Sequence, residues 1–168
     1  TLATIASFGE LLSSYIISEA AKETGLNACY KDSRELIIAN GNYQNAQVNY
    51  KQTNENCKHY FKNAKEQITF LPGFIAKTDT GKTTTLGRGG SDFSAAIYAA
   101  ALDAKELQIW TDVSGMFTAN PKVVKQAFPI PHISYQEAME LSHFGAKVIY
   151  PPTIQPVLEK KIPILIKN

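Results

Sequence analysis

Between Thr83 and Leu102 the chain runs from three threonines, through Leu86-Gly-Arg-Gly-Gly-Ser-Asp92, into Phe93-Ser-Ala-Ala-Ile-Tyr-Ala-Ala-Ala-Leu102. A β-branched run, a glycine-rich turn, and then Phe93, Ala96, Ile97 and Ala100 at helical spacing predict strand, loop and helix in immediate succession. A junction of this kind belongs to α/β architectures, in which strands hand over to helices through short loops that carry the site. The loop packs three glycines, a guanidinium, a hydroxyl and a carboxylate into Gly87–Asp92. Glycines let a ligand come close to the main chain, and a helix start offers unpaired N–H groups to an anion. Arg88 can grip a carboxylate through two parallel hydrogen bonds, which a lysine cannot do. Ser91 is the expected N-cap, with Asp92 at the positive end of the helix. Taken alone, these residues describe an anion-handling site.

The remainder alternates in the same sense. Ser7-Phe-Gly-Glu10 has capping-box spacing and leads into an apolar stripe of Leu11, Leu12, Tyr15, Ile16 and Ala20, stopped by Gly25. Short strands are predicted over Asn27–Tyr30 and near Val48, then a helix through Cys57, Tyr60 and Phe61. Ile68–Leu71 reads as a buried strand and Asn40-Gly41 as a turn. Phe74–Ala76 and Thr83–Leu86 flank a polar tip and predict a hairpin or flap. Leu107–Thr111 is strand-like and Asp112–Gly115 a loop, and Pro121-Lys122 is extended and exposed. Ser134-Tyr-Gln-Glu137 is a second capping box, opening a helix that stops near Gly145. Pro151-Pro152 precedes a short helix to Lys160, and Ile162–Ile166 forms a final strand. This order predicts a largely parallel sheet covered by helices, in one domain.

Charge and composition exclude several classes. A net charge of +2 without a basic run argues against nucleic-acid binding. No apolar run nears the roughly 20 residues that span a bilayer. Cys29 and Cys57 are far apart and lack metal spacing, so reduced thiols in the cytoplasm are expected. His59, His132 and His143 share no ligand spacing, and none is assigned as a ligand or base. Of 17 basic residues only Arg34 and Arg88 are arginine, and one of the two lies between glycines. Gly81-Lys82-Thr83 imitates the end of a phosphate-binding P-loop, but its first glycine would be Ala76. Gly87 and Gly89 begin a dinucleotide fingerprint that Asp92 breaks.

Thr83–Asp92, Ile109–Gly115 as I-W-T-D-V-S-G, and Phe144–Val148 as F-G-A-K-V together resemble aspartate kinase, of the amino-acid kinase family. Ser7–Leu11, S-F-G-E-L, matches as well, and Leu71–Ile75 does so more weakly. The segments cover nearly the whole chain in the family's order. The run S-Y-Q-E-A-M-E-L-S-H-F-G-A-K-V and the ending I-P-I-L-I-K-N are most similar to the kinase part of bifunctional aspartokinase–homoserine dehydrogenases. The resemblance implies part of the amino-acid kinase fold, a three-layer αβα sandwich with a largely parallel sheet. It also implies transfer of the ATP γ-phosphoryl group to the β-carboxylate of L-aspartate, on the route to lysine, threonine and methionine.

Site roles follow from the same resemblance, position by position. Arg88 takes the substrate α-carboxylate within Gly89, Gly90 and Ser91, while Asp92 with Glu10 faces the substrate ammonium. Asp92 and Lys147 are the implied catalytic residues. Thr111, Asp112, Phe117, Lys122 and Lys147 lie on the nucleotide side. Chemistry agrees with the division, because a β-carboxylate with a reference pKa near 3.9 has no proton to lose at neutral pH. Phosphoryl transfer then needs alignment and charge neutralisation from N–H groups, lysines and Mg²⁺ held by the ATP phosphates. No metal site of the protein's own is expected.

Departures from the family pattern carry expectations too. The family's G-[VI]-Y-T-x-D-P-R reads Gly115-Met-Phe-Thr-Ala-Asn-Pro-Lys122 here, so Phe117 lacks a hydroxyl and Lys122 lacks the guanidinium fork. The N-terminal K-F-G-G-T-S element, with its phosphoryl-directed lysine, does not occur in 1–168. This implies that the chain is the later portion of a catalytic domain, inactive or nearly so alone; as the full-length protein a homo-oligomer is expected. Two alternatives stay open on the residues: an acetylglutamate or glutamate kinase, and a non-catalytic binding or assembly module.

Overall fold

The computed structural model describes residues 1–40, 46–143 and 151–168. A long helix α1 (Leu2–Glu23) leads to strand β1 (Ala28–Tyr30), a 3-10 turn at Ser33–Glu35 and helix α2 (Tyr50–Asn63). Strands β2 (Ile68–Phe70), β3 (Ile75–Lys77) and β4 (Thr83–Thr85) precede helix α3 (Gly90–Ala101) and strand β5 (Leu107–Trp110). Helices α4 (Tyr135–His143) and α5 (Pro151–Glu159) and strand β6 (Ile164–Lys167) complete the order.

Among the described residues the named strands pair in three separate twos, two of them parallel and one antiparallel. β1 and β2 are parallel with Ala28 opposite Ile68, and β5 and β6 are parallel with Leu107 opposite Ile164. β3 and β4 form the expected antiparallel hairpin, Ile75 opposite Thr85. A parallel bridge from Ile38 to Lys77 ties the segment after the 3-10 turn to this hairpin. Helix α3 lies at the centre of the packing. Ile97, Tyr98 and Ala101 join Leu36, Ile37, Cys57, Ala76 and Leu86 on one side. Ala96 and Ala99 join Leu107, Ile109, Ile154, Val157 and Ile162 on the other. The alanines bring α3 close to α5 and β5, so the helix that starts at the glycine loop is buried along both flanks.

Several expectations are corrected. α1 begins at Leu2, with Thr1 as N-cap accepting from the Thr4 N–H. Ser7 and Glu10 therefore lie inside the helix, and Ser7 Oγ donates to the Thr4 carbonyl (2.7 Å) instead of capping. Gly25 does end α1, in the left-handed region (φ 85°), with the paired Gly25→Lys22 and Leu26→Ala21 bonds of a Schellman motif. The buried side of α1 is made of Ala3, Ser7 and Ser18, small residues that let the axis approach β1, β2 and β4. Of the expected apolar stripe, Leu12, Tyr15, Ile16 and Ala20 are exposed and Leu11 is half-buried, while Tyr15 meets the Tyr30 ring edge-on (5.6 Å). β2 is not buried: Ile68 is exposed and Thr69 and Phe70 half-buried. Pro151 and Pro152 open α5 instead of preceding it, which suits proline in a first turn. The second capping box stands: Ser134 N–H donates to Glu137 Oε2 (2.9 Å) and Glu137 N–H to Ser134 Oγ (3.3 Å). The turn expected at Asn40-Gly41 and the helix stop at Gly145 extend outside the described residues.

Candidate active site

The loop Gly87–Asp92 emerges from β4 and turns directly into α3. Gly89, not Ser91, is the N-cap of α3; its φ is 68° and no side chain caps the helix. A residue with a Cβ would be strained there, so the turn needs glycine. Gly90 has a different reason. A Cβ built on it would meet Phe74 Cδ2 at 2.7 Å, so the Phe74 ring occupies the space a side chain would need. Gly90 N–H donates back to Gly87 O (3.1 Å) and Phe93 N–H to Gly89 O (2.9 Å), which closes the loop on itself. Helix geometry gives the Ser91 and Asp92 amides no intrahelical acceptor, so the anion-facing N–H groups of the expectation belong to these two residues.

The side chains divide by exposure. Arg88 and Ser91 are exposed, while Asp92 is half-buried in the first turn of α3. Burial raises the Asp92 carboxyl above the ordinary range, a cost to the charged form that a cationic ligand group would relieve. Glu10 is half-buried on α1, three residues after the fully buried Ser7. α1 packs on β4, the strand that delivers the loop. With Ser7 bonded to Thr4, the capping role for Glu10 is gone. Arg34, the other arginine, serves structure: its guanidinium engages both Asp32 oxygens and reaches Thr83 Oγ1 (3.2 Å) at the base of β4. Burial pushes Asp32 up, but the hydrogen bonds from Arg34 outweigh it and hold the carboxyl below its usual range.

The second cluster lies at the carboxyl ends of β5 and β6. Thr111 N–H donates to Lys167 O (2.8 Å), extending the strand pair, and Thr111 Oγ1 donates to Asp112 Oδ1 (3.2 Å). Beyond Gly115 the chain makes an excursion in which Phe117 bridges Pro129 in antiparallel fashion. Asn120 shapes its tip, its Oδ1 accepting from Lys122 N–H (3.0 Å) and its carbonyl from Val123 and Val124 N–H (2.9 Å each). Asp112 and Lys122 are exposed and Phe117 half-buried. Lys147 and the F-G-A-K-V segment lie outside the described residues. Among the described residues no group of three or more His, Cys, Asp or Glu side chains could hold a metal, and no helix is long and apolar enough to cross a membrane. Both cysteines are free, and burial pushes the Cys57 thiol up to about 11.

Phe74 and Ser94 are the members of this architecture that sequence reasoning missed. Phe74 packs on the loop, and Ser94 accepts its N–H (2.9 Å) and donates to Gly90 O (2.8 Å). The available signal was Pro72-Gly73 immediately before an aromatic residue, which marks an unusual turn, and a serine four residues after a loop glycine.

Comparison with known proteins places these features in a wider setting. The sequence model of the amino acid kinase family matches residues 1–168. A bifunctional aspartokinase/homoserine dehydrogenase of Buchnera aphidicola is 44% identical over 167 residues, 99% of this chain and 20% of that protein. Lysine-sensitive aspartokinase 3 of Escherichia coli is 37% identical over 163 residues, 96% of this chain and 36% of that protein. The crystal structure of E. coli aspartokinase III in complex with aspartate and ADP superposes with a TM-score of 0.91 at 35% identity, covering 98% of this chain and 37% of that one. The chain thus spans about a fifth of the length of the bifunctional relative and little over a third of aspartokinase 3.

Proposed function

From the premise that the chain belongs to the amino acid kinase family, we propose that it is the later portion of an aspartokinase catalytic domain, acting within a cytoplasmic enzyme that transfers the γ-phosphoryl group of ATP to the β-carboxylate of L-aspartate. One observation carries the reading: the left-handed Gly89 turns the chain into α3 without a side-chain cap, which leaves the Ser91 and Asp92 amides at the helix start beside an exposed guanidinium and a half-buried carboxylate. That pairing suits a zwitterion better than a plain anion. Arg88 takes the α-carboxylate, while Asp92 with Glu10 takes the ammonium and offsets the burial cost on Asp92. The β-carboxylate, already ionised at neutral pH, is left as nucleophile.

The nucleotide side rests on Thr111, Asp112, Phe117 and Lys122 around the end of β5, with Lys147 directed to the phosphates. Mg²⁺ fits this reading as an ion brought by the nucleotide, because the exposed Asp112 is a single carboxylate and not a ligand cluster. When bound it neutralises phosphate charge, while the protein's residues hold and align the two substrates. The active protein is read as a homo-oligomer without nucleic-acid or membrane partners.

The test is a coupled ADP-release assay on the intact polypeptide that carries residues 1–168, with Mg·ATP and a panel of L-aspartate, L-glutamate and N-acetylglutamate. Turnover with aspartate at least about 100-fold above the other two is expected, since groups placed for one carbon skeleton are left unpaired by the others. Preference for either alternative substrate, or no turnover with any, contradicts the proposal.

A further inference from the structure

Phe74 has a φ of 68°, in the left-handed region. Among the described non-glycine residues Asp103 and Lys161 share positive φ, but both follow helix ends, where that conformation is routine. Phe74 follows no helix. A bulky residue persists in this conformation only when its surroundings over-determine it. Here the surroundings are explicit. Phe74 N–H donates to Ser94 Oγ (2.9 Å), and Phe74 O accepts from Leu86 N–H (2.8 Å). Ser33 Oγ donates to the carbonyl of Pro72, fixing the other end of the turn. Ser94, 1% exposed, donates its own hydroxyl hydrogen bond to Gly90 O (2.8 Å). A hydroxyl can accept and donate at once, which neither alanine nor cysteine does as well. The same turn presses on the loop, for a Cβ on Gly73 would lie 3.0 Å from Ser91 Cα.

We propose that Ser94 is a positioning residue for the aspartate half of the site, holding Phe74 in its strained conformation so that the ring walls the first turn of α3 at Gly90. The inference rests on the aspartokinase reading and deepens it. Ser94 touches no substrate; it acts through Phe74 and Gly90. Without the hydroxyl, Phe74 relaxes toward negative φ, its ring leaves Gly90, and the turn that carries Ser91 and Asp92 loses a wall.

The experiment compares Ser94→Ala, Ser94→Thr, Phe74→Gly and the Ser94→Ala/Phe74→Gly pair in the intact polypeptide. Ser94→Ala should raise KM for L-aspartate about 10-fold and leave KM for ATP within about 2-fold, the size expected for one lost buried hydrogen bond. Ser94→Thr, which keeps the hydroxyl, should restore most of the loss. Phe74→Gly should raise KM for aspartate selectively by itself, and adding Ser94→Ala should then change it less than about 2-fold, because the two act as one unit. Hydrogen exchange at the Phe74 amide should quicken about 10-fold in Ser94→Ala, whatever the substrate proves to be. Equal shifts in both KM values, full additivity with Phe74→Gly, no effect of Phe74→Gly, or an unchanged Phe74 amide would each overturn the proposal. A wild-type protein without aspartate-dependent turnover would instead sink the functional reading, and the amide exchange would still decide what Ser94 does to the turn.

Discussion

Gly87–Asp92 and Thr111–Lys122 both follow a strand, yet their construction differs at every level. The first is shaped by backbone: two left-handed glycines, a third with no room for a Cβ, and the buried α3 behind it. The second hangs on local bonds, Thr111 to Asp112 and the Asn120 turn, with its charged members in solvent. The difference matches what each would bind. A small zwitterion offers few atoms, so its partners must be fixed before it arrives. A nucleotide offers a base, a sugar and several phosphates, so contacts that are weak one by one can add up. On this view the loop is a rigid clamp and the excursion a compliant surface.

The largest effect that would sharpen the comparison is at Asp92. Asp92→Asn should lower aspartate-dependent turnover about 100-fold or more, since the substrate ammonium loses a charged partner. Stability should move the opposite way. The folded-state pKa of Asp92 is raised, so its carboxylate destabilises the fold at pH values above that pKa and ceases to do so as pH falls through it. A neutral amide at this position carries no such cost. The thermal midpoint of Asp92→Asn should therefore match or exceed wild type at pH 7, with any gap closing as the pH falls through the Asp92 pKa. A midpoint below wild type at pH 7 would place the carboxylate in a structural bond and weaken the clamp reading.

Next in size is Gly90→Val. Its side chain must displace the Phe74 ring, an overpacking cost of about 1–3 kcal/mol, or roughly 3–10 °C in the thermal midpoint. The exposed positions of the excursion, such as Asp112 and Lys122, should respond far less to a substitution, because exposed positions normally stay within about 0.5 kcal/mol. A Gly90→Val protein that melts with wild type would mean that the loop yields as easily as the excursion.

The loop was legible in the sequence because a β-branched run, a glycine-rich turn and a helical apolar pattern in succession mark a strand–loop–helix junction locally, whereas the clamp roles proposed for it come from the family resemblance. Strand–helix alternation was legible for the same local reason, as were the hairpin, Gly25 and the Ser134–Glu137 box. What escaped depended on tertiary packing. Ser7 and Glu10 have the spacing of a cap, but the N-cap of α1 lies six residues earlier, at Thr1, where Thr4 completes the cap. The apolar stripe of α1 points outward because the inner face is chosen by close approach to strands, which favours Ala3, Ser7 and Ser18. Ser91 lost the N-cap to Gly89 because the turn into α3 needs positive φ more than it needs a side-chain acceptor. Phe74 carries no local signal for a left-handed backbone; its N–H is held by Ser94, twenty residues later, and its carbonyl by Leu86.

The contrast between clamp and excursion is tested most directly by assaying Arg88→Lys and Lys122→Ala side by side in the intact polypeptide, titrating each substrate in turn. A crossover is expected. Arg88→Lys loses the bidentate grip and should raise KM for aspartate about 30-fold, with KM for ATP within about 2-fold. Lys122→Ala removes one exposed charge and should raise KM for ATP about 3-fold, leaving aspartate unchanged. If Arg88→Lys instead raises both constants equally, or Lys122→Ala acts on aspartate, the loop is not the aspartate clamp.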